Sequence, residues 1–404
     1  MGANITIKEY PFYIVCFLFN PLLTIVGMVF YGLSFGESRT TEKNKNYLLL
    51  FGIFCCIFVS LINMTKVPEV DLYNYIYRYK QAGRYDLLAY LRVIAIEGGS
   101  FKEPLYNVLS WCINKVYFGN EYLFKFTISM MQYTLLITSL IYFGKRFSMR
   151  IYVVITGIVF MCFFPSIFTH SLNLIRQTLA NCILCFVMVR HFFYNKREWI
   201  GMVSTILIHS TSMLFLPLLL FPAFGKPIRK AWIWYMGAFV LLLSIQFFAA
   251  YIFEVGSFDT DNSIGYALDR AKEDTTAIIK PISFFSVALL SIVLGYVIFL
   301  FFKDSTKGVS GLRRFLFVLI FLSLFILINL HQDQLAGRMM HYAFNFVPFI
   351  LMLFLSRIRN YNKPLLIMNY SIIILFTIYV HIGYWTYTVE YGGWFTPVFV
   401  YNFY

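Results

Sequence analysis

Long apolar runs alternate along the chain with short polar intervals, and each run is near the roughly 20 residues that a helix needs to cross a bilayer core. The runs fall near residues 12–34, 47–63, 122–143, 151–168, 172–190, 199–221, 231–253, 282–302, 312–330, 339–355 and 365–385. The pattern predicts an all-α, polytopic integral membrane protein with about 11 transmembrane helices, a single transmembrane domain over residues 1–404. The first run is too long for a signal peptide and lacks a small-residue cleavage site, so it is expected to stay in the mature protein. Only the interval 64–121 is long, and it is expected to form a helical extracytoplasmic loop.

Composition agrees: 60% of residues are hydrophobic and 13% charged, with a formal net charge of +14. Most of that excess lies in short loops, where Lys and Arg mark the cytoplasmic side and not a nucleic-acid surface. With the N-terminus outside, the loops holding Arg39, Lys43 and Lys45, then Lys145, Arg146 and Arg150, then Arg190, Lys196 and Arg197 fall inside. Counted from the other end, Lys303, Lys307, Arg313, Arg314, Arg357, Arg359 and Lys363 are inside as well, and the acidic loop with Glu254, Asp259, Asp261, Asp269, Glu273 and Asp274 is outside. The two counts disagree by one crossing at Lys226, Arg229 and Lys230. Either residues 199–224 break around His209–Ser212 into a re-entrant hairpin, or that basic loop lies outside and an extra turn hides near Gln246–Glu254.

The seven cysteines sit in or beside apolar runs. Cys182 and Cys185 have no second ligand pair nearby, so packing is the expected role. No phosphate-loop glycine motif, zinc-protease motif or internal repeat is present, and no metal or cofactor is expected.

Polar residues inside apolar runs carry the chemistry, because a charge at that depth costs roughly 2.5–3.5 kcal/mol on insertion scales and normally faces a polar cavity. The helical spacing predicts one face with His170, Asn173, Arg176, Gln177, Ala180 and Asn181, another with Thr205, His209 and Ser212, and a third with Arg338, His341, Tyr342 and Asn345. Measured from the turn near Asn195, Arg176 and His209 differ in depth by about 7–8 Å at helical rise, so they are expected to line one cavity. In the loop, Asp71, Tyr75, Arg78 and Tyr79 share a helical face, and Glu103 precedes Pro104. Each feature also has an ordinary structural use. An intramembrane His commonly bonds helices together, Arg338 at an outer end can snorkel to headgroups, and tyrosines anchor at interfaces, as His381 with Tyr384 and Trp385 would. Asp71 and Glu103 suit helix starts.

The ordered set Asp71-Leu-Tyr-Asn-Tyr75, Glu103-Pro-Leu-Tyr106, Ser171-Leu-Asn-Leu-Ile-Arg-Gln177 with Ala180, Ile208-His-Ser210 and Gly337-Arg338 resembles the EpsG family of Wzy-type exopolysaccharide and O-antigen polymerases. The motifs are short, and their order among the spans, over roughly residues 10–385, is the specific part. The resemblance implies a GT-C-like glycosyltransferase of the bacterial inner membrane. It would act at the periplasmic face and transfer a glycan from undecaprenyl pyrophosphate to the next lipid-linked repeat unit. Membrane lipid, a chain-length regulator and a flippase are the implied partners, and nucleic acid is not. Arg176 and Arg338 suit the pyrophosphate, since Arg offers a planar fork of donors that stays charged. His209 is the first candidate for the base, followed by Asp71 and Glu103. Asn173, Gln177, His341, Tyr75 and Tyr106 are expected to bind substrate, with Tyr73 as a further sugar-facing ring. A ligase using the same donor, a lipid-linked oligosaccharide flippase and, more distantly, an acyltransferase resting on His209 are the competing readings.

Overall fold

The computed structural model describes residues 9–35, 38–41, 44–68, 70–97, 103–255, 284–303, 310–330, 333–358 and 362–382. Asn20 and Pro21 divide the first apolar run. The Asn20 side chain accepts from Leu23 N at 3.0 Å, and Pro21 opens a new helix where its missing N–H costs nothing. The run is therefore α1 (Tyr10–Phe19) followed by α2 (Pro21–Tyr31), which doubles back so that the Tyr13 and Tyr31 rings stand 6.5 Å apart, a helical hairpin and not the expected span. Next come α3 (Lys45–Met64) and the loop helices α4 (Val70–Ala82), α5 (Leu87–Glu97) and α6 (Pro104–Tyr117). The chain continues through α7 (Glu121–Arg146), α8 (Ile151–Phe163), α9 (Pro165–Asn173), α10 (Ile175–Tyr194), α11 (Trp199–Ile208), α12 (Leu216–Leu220) and α13 (Ile228–Val255). It ends in α14 (Phe284–Phe302), α15 (Ser310–Ile328), α16 (Asp333–Leu355) and α17 (Asn362–Ile382). Asp259, Asp261, Asp269, Glu273 and Asp274 lie outside the described residues, as do Lys43, Glu69, Lys307, Arg359, Tyr384 and Trp385.

The protein is an all-helical, polytopic membrane protein. The predicted runs are mostly helical where described, but only α3, α7, α15, α16 and α17 are individually long and apolar enough to cross a membrane. A sixth span appears if α8 and α9, bent by 49° at Phe164 and Pro165, count as one. At the centre, α7 packs along α3 and α10, while α8 fits among α3, α7, α16 and α17. Apolar on all sides, α8 is buried almost throughout, as such a helix must be to sit at the middle of a bundle. The seven cysteines are free thiols, and Cys182 and Cys185 are buried in apolar packing.

The bundle has two distinct ends. At one, the basic segments meet. Arg39 forms an isolated β-bridge with Arg150, the Arg150 guanidinium donates to the Ile358 carbonyl, and Tyr194 donates to Tyr142 O at 2.7 Å. Gly311 lies against α10 at this end, where a Cβ on it would stand 2.1 Å from the Phe192 carbonyl oxygen. Gly311→Ala is therefore expected to push α15 off α10 and cost about 1–3 kcal/mol, read as a lower melting temperature of the purified protein.

Residues 199–225 enter and leave at that same basic end. Beside the end of α10, α11 starts with Arg190 Nε on Glu198 Oε1 at 3.0 Å. Ten residues later its helix stops and His209 takes an extended conformation. A 3-10 turn (Ser210–Phe215), α12 and a second 3-10 turn (Pro222–Gly225) bring the chain back. There the Leu219 carbonyl accepts from Arg314, and Phe224 stacks on Phe317 at 4.8 Å. The run 199–221 is thus a re-entrant hairpin and not a span. Lys226, Arg229 and Lys230 rejoin the other basic segments, which removes the disagreement of one crossing. It also corrects the expected face of Thr205, His209 and Ser212, because no helix continues through them. Thr205 bonds its own turn, and Ser212 bonds Tyr342.

A second break matters as much. Helix α9 ends at Asn173, Leu174 leaves the helical region, and α10 begins at Ile175. The expected continuous face from His170 to Asn181 is therefore split, with His170 and Asn173 on one helix and Arg176, Gln177 and Asn181 on the next. A carbonyl freed at a break must find a donor at membrane depth, and Gln132 donates to Ser171 O at 2.9 Å. In the last turn of α9, Lys66 Nζ bonds Thr169 O at 3.3 Å, and Thr178 Oγ1 at 3.0 Å joins Leu174 N on His170 O.

Candidate functional site

At the end of the bundle opposite the basic segments, Glu103 joins residues from three separate elements. It precedes Pro104 at the start of α6 with φ 55°, a left-handed conformation that is unfavourable for Glu, and its carboxylate makes no capping bond to the helix. One oxygen, Oε2, pairs with Arg176 Nη1, while the other, Oε1, meets Nδ1 of His209. The helix-start role weighed for Glu103 is thus displaced by an ion pair and a hydrogen bond. Arg176 lies in the first turn of α10, where the helix dipole opposes a cation, so the carboxylate also offsets an unfavourable placement. His209 arrives at the tip of the hairpin. Arg176 and His209 meet the same carboxylate, as their matched depth predicts.

Two tyrosines complete the setting. Arg176 Nε donates to the Tyr75 hydroxyl at 3.4 Å, with the guanidinium 5.2 Å from the Tyr75 ring centroid, and Tyr75 meets Tyr106 edge to face at 5.8 Å. Tyr75 and Tyr106 are buried, which orients the guanidinium. The Glu103 side chain is 8% exposed, His209 16% and Arg176 28%, so the cation is the most accessible member.

Burial alone would raise the Glu103 carboxyl, but the hydrogen bond with His209 and the charge of Arg176 outweigh it and hold the group below its ordinary value of 4.5. A depressed carboxylate stabilises the fold at pH values above the unfolded-chain pKa of about 4.3, and that contribution is lost as the pH falls through the lower folded value. Melting temperatures of wild type and Glu103→Gln are therefore expected to differ most near neutrality and to converge on acidification below about pH 4.

The remaining predicted residues are placed differently. Asp71 is half-buried in the first turn of α4 and makes no hydrogen bond or ion pair among the described residues. Asn173 accepts from Lys66 Nζ at 2.5 Å, and Gln177 donates to the Arg338 carbonyl at 2.5 Å, so both amides are engaged in holding helices. Half-exposed Arg338 makes no side-chain hydrogen bond among the described residues. His341 stacks on His170 with ring centroids 3.3 Å apart and lines a small cavity with Ser166, Gln177, Asn181 and Asn345, away from Glu103. Tyr73 is 61% exposed and lies off the cluster. Among the described residues no three His, Cys, Asp or Glu side chains gather as a metal site.

Sequence reasoning missed Lys66 and Lys125, both buried. The Lys125 Nζ donates to the Lys66 carbonyl at 2.8 Å, and Lys66 in turn holds the end of α9. Lys125 stands inside an apolar run, and that placement was the available signal.

The fold and site define a polytopic helical membrane protein with a His–Glu–Arg constellation at one end of its bundle. The chain belongs to the EpsG family, whose family model matches residues 48–402, and thereby to the Wzy-like polysaccharide polymerases. The match covers Glu103, Arg176 and His209. No curated protein and no solved structure matches the chain.

Proposed function

We propose that this protein is a glycosyltransferase that polymerises lipid-linked repeat units at the periplasmic face of the bacterial inner membrane. It transfers a glycan from undecaprenyl pyrophosphate to a hydroxyl of the next lipid-linked unit. The observation that carries this reading is the Glu103 carboxylate shared by Arg176 and His209.

With the carboxylate on Nδ1, that nitrogen carries the proton and Nε2 holds the free lone pair, the arrangement of a carboxylate-oriented base. His209 takes the acceptor hydroxyl proton as the oxygen forms its bond to the anomeric carbon. The bond from that carbon to the pyrophosphate oxygen breaks, and its electron pair leaves with the carrier. Arg176 and Arg338 stabilise the charge that builds on the departing oxygen, which lowers the barrier more than the bound ground state. One displacement inverts the anomeric centre. Because arginines do the charge neutralisation, turnover is expected to persist in a metal chelator.

Orientation follows from charge. The end where Arg39, Arg150, Arg190 and Arg314 gather faces the cytoplasm under the positive-inside rule, so the cluster at the opposite end faces the periplasm. A chain-length regulator and a flippase are the partners this role requires.

The test is complementation of a polymer-negative strain with wild type and Arg176→Ala, with lipid-linked and surface glycans read on a gel. A ladder in wild type that collapses to single repeat units in the variant supports the polymerase. Long chains stranded on the lipid carrier instead identify a ligase, and loss of all periplasmic repeat units a flippase.

A further inference from the structure

Glu103 has two claimants, and a donor would compete with it for one of them. Its oxygens are divided, Oε2 to Arg176 and Oε1 to His209, so neither partner has the whole carboxylate. Two of the Arg176 nitrogens are engaged, Nη1 by Glu103 and Nε by Tyr75. A diphosphate needs a planar fork of donors, Glu103 already holds one of its nitrogens, Nη1, and two anions on one guanidinium repel each other. Among the described residues, the charged and titratable groups around the cluster are Arg176 from α10, His209 from the hairpin tip, Tyr75 from α4, Tyr106 from α6 and Tyr342 from α16. Of these, His209 alone offers Glu103 a second partner already in contact.

We infer that Glu103 is a partner-exchanging carboxylate: the donor's diphosphate displaces it from Arg176, and it then serves His209 alone. The inference rests on the donor-site reading of Arg176 given above. Before the donor arrives, Glu103 is shared between the Arg176 guanidinium and Nδ1 of His209. Once the diphosphate is seated, the full negative charge stands against Nδ1 of His209 and stabilises the positive charge the imidazole acquires as Nε2 takes the acceptor proton. Donor binding thus readies the base, and the acceptor hydroxyl is deprotonated only when a leaving group is in place. The order of events is donor first, acceptor second. Such coupling also keeps His209 from activating water beside an empty site.

The exchange predicts opposite signs for two substitutions, a result that a merely supporting role for Glu103 does not produce. Binding of inorganic pyrophosphate to the purified full-length protein in lipid nanodiscs is the measurement. Glu103→Gln removes the competitor, so pyrophosphate is expected to bind about tenfold tighter even as polymer formation falls. His209→Gln leaves Glu103 wholly to Arg176, so pyrophosphate is expected to bind several-fold weaker. Unchanged or weaker binding in Glu103→Gln, or shifts of the same sign in both variants, would overturn the exchange. Should Glu103→Gln fail to fold, His209→Gln decides alone, and unchanged or tighter binding there overturns the proposal. If wild type does not bind pyrophosphate, or Arg176→Ala binds it equally well, the donor-site reading falls and the exchange with it. Binding lost in Arg176→Ala but unaltered in the other two sinks the exchange only.

Discussion

Arg176→Lys is expected to abolish most polymer formation while the protein still inserts and folds. The guanidinium makes three separate contacts in a fixed plane, with Glu103 through Nη1, with the Tyr75 hydroxyl through Nε and with the Tyr75 ring through its face. A lysine ammonium preserves the charge but not the fork, so it cannot hold Tyr75 while presenting paired donors to a diphosphate. Losing a preorganised donor to developing charge typically reduces turnover by roughly 10²–10³-fold. Membrane yield and melting temperature near those of wild type, with glycan chain formation down by that factor, are the expected outcome. Full-length polymer from the lysine variant would remove Arg176 from the chemistry.

His209→Ala should show a comparable loss for a different reason. The imidazole sits at the hairpin tip with Nδ1 committed to Glu103, so its replacement removes the proton acceptor while the arginines keep their places. General-base deletions cost roughly 10²–10⁴-fold, and donor binding should survive within about tenfold. Imidazole added to the assay is expected to restore part of the activity, because the deletion leaves room for it. A variant that fails to reach the membrane, or unfolds, would instead make His209 a bond between helices.

The parts of this architecture that depend on hydrophobic pattern were legible in the sequence, and the parts that depend on where a helix stops were not. The long apolar runs became mostly helix where described, and two charged or titratable residues inside them, Arg176 and His209, come together on Glu103. Arg176, His209 and Glu103, separated by 73 and 106 residues along the chain, meet in one cluster. The break at Leu174 was hidden because neither Gly nor Pro marks it and the polar spacing runs through it as a helical face would. It is held open by Thr178 within the segment and by Lys66 and Gln132, two donors from elsewhere in the fold that no local reading of residues 165–180 can see. Conversely, the polar cluster at His209–Ser212 with Pro217 and Pro222 made the hairpin visible as one of two solutions, and long-range contacts such as Arg314 to Leu219 select it. Asn173 and Gln177 show the limit of a motif. They stand beside Arg176 in sequence, yet their amides bond Lys66 and the Arg338 backbone.

A segment whose two ends lie on one side of the bundle does not change the parity of the chain. Residues 199–225 can be lengthened, shortened or exchanged for a different hairpin without inverting any helix that follows, whereas altering a through-going span would turn α13 to α17 upside down. The element that delivers His209 is thus a part of the core open to wholesale replacement, a place where a lineage of such chains can change what reaches Glu103 while the scaffold that holds Arg176 keeps its orientation.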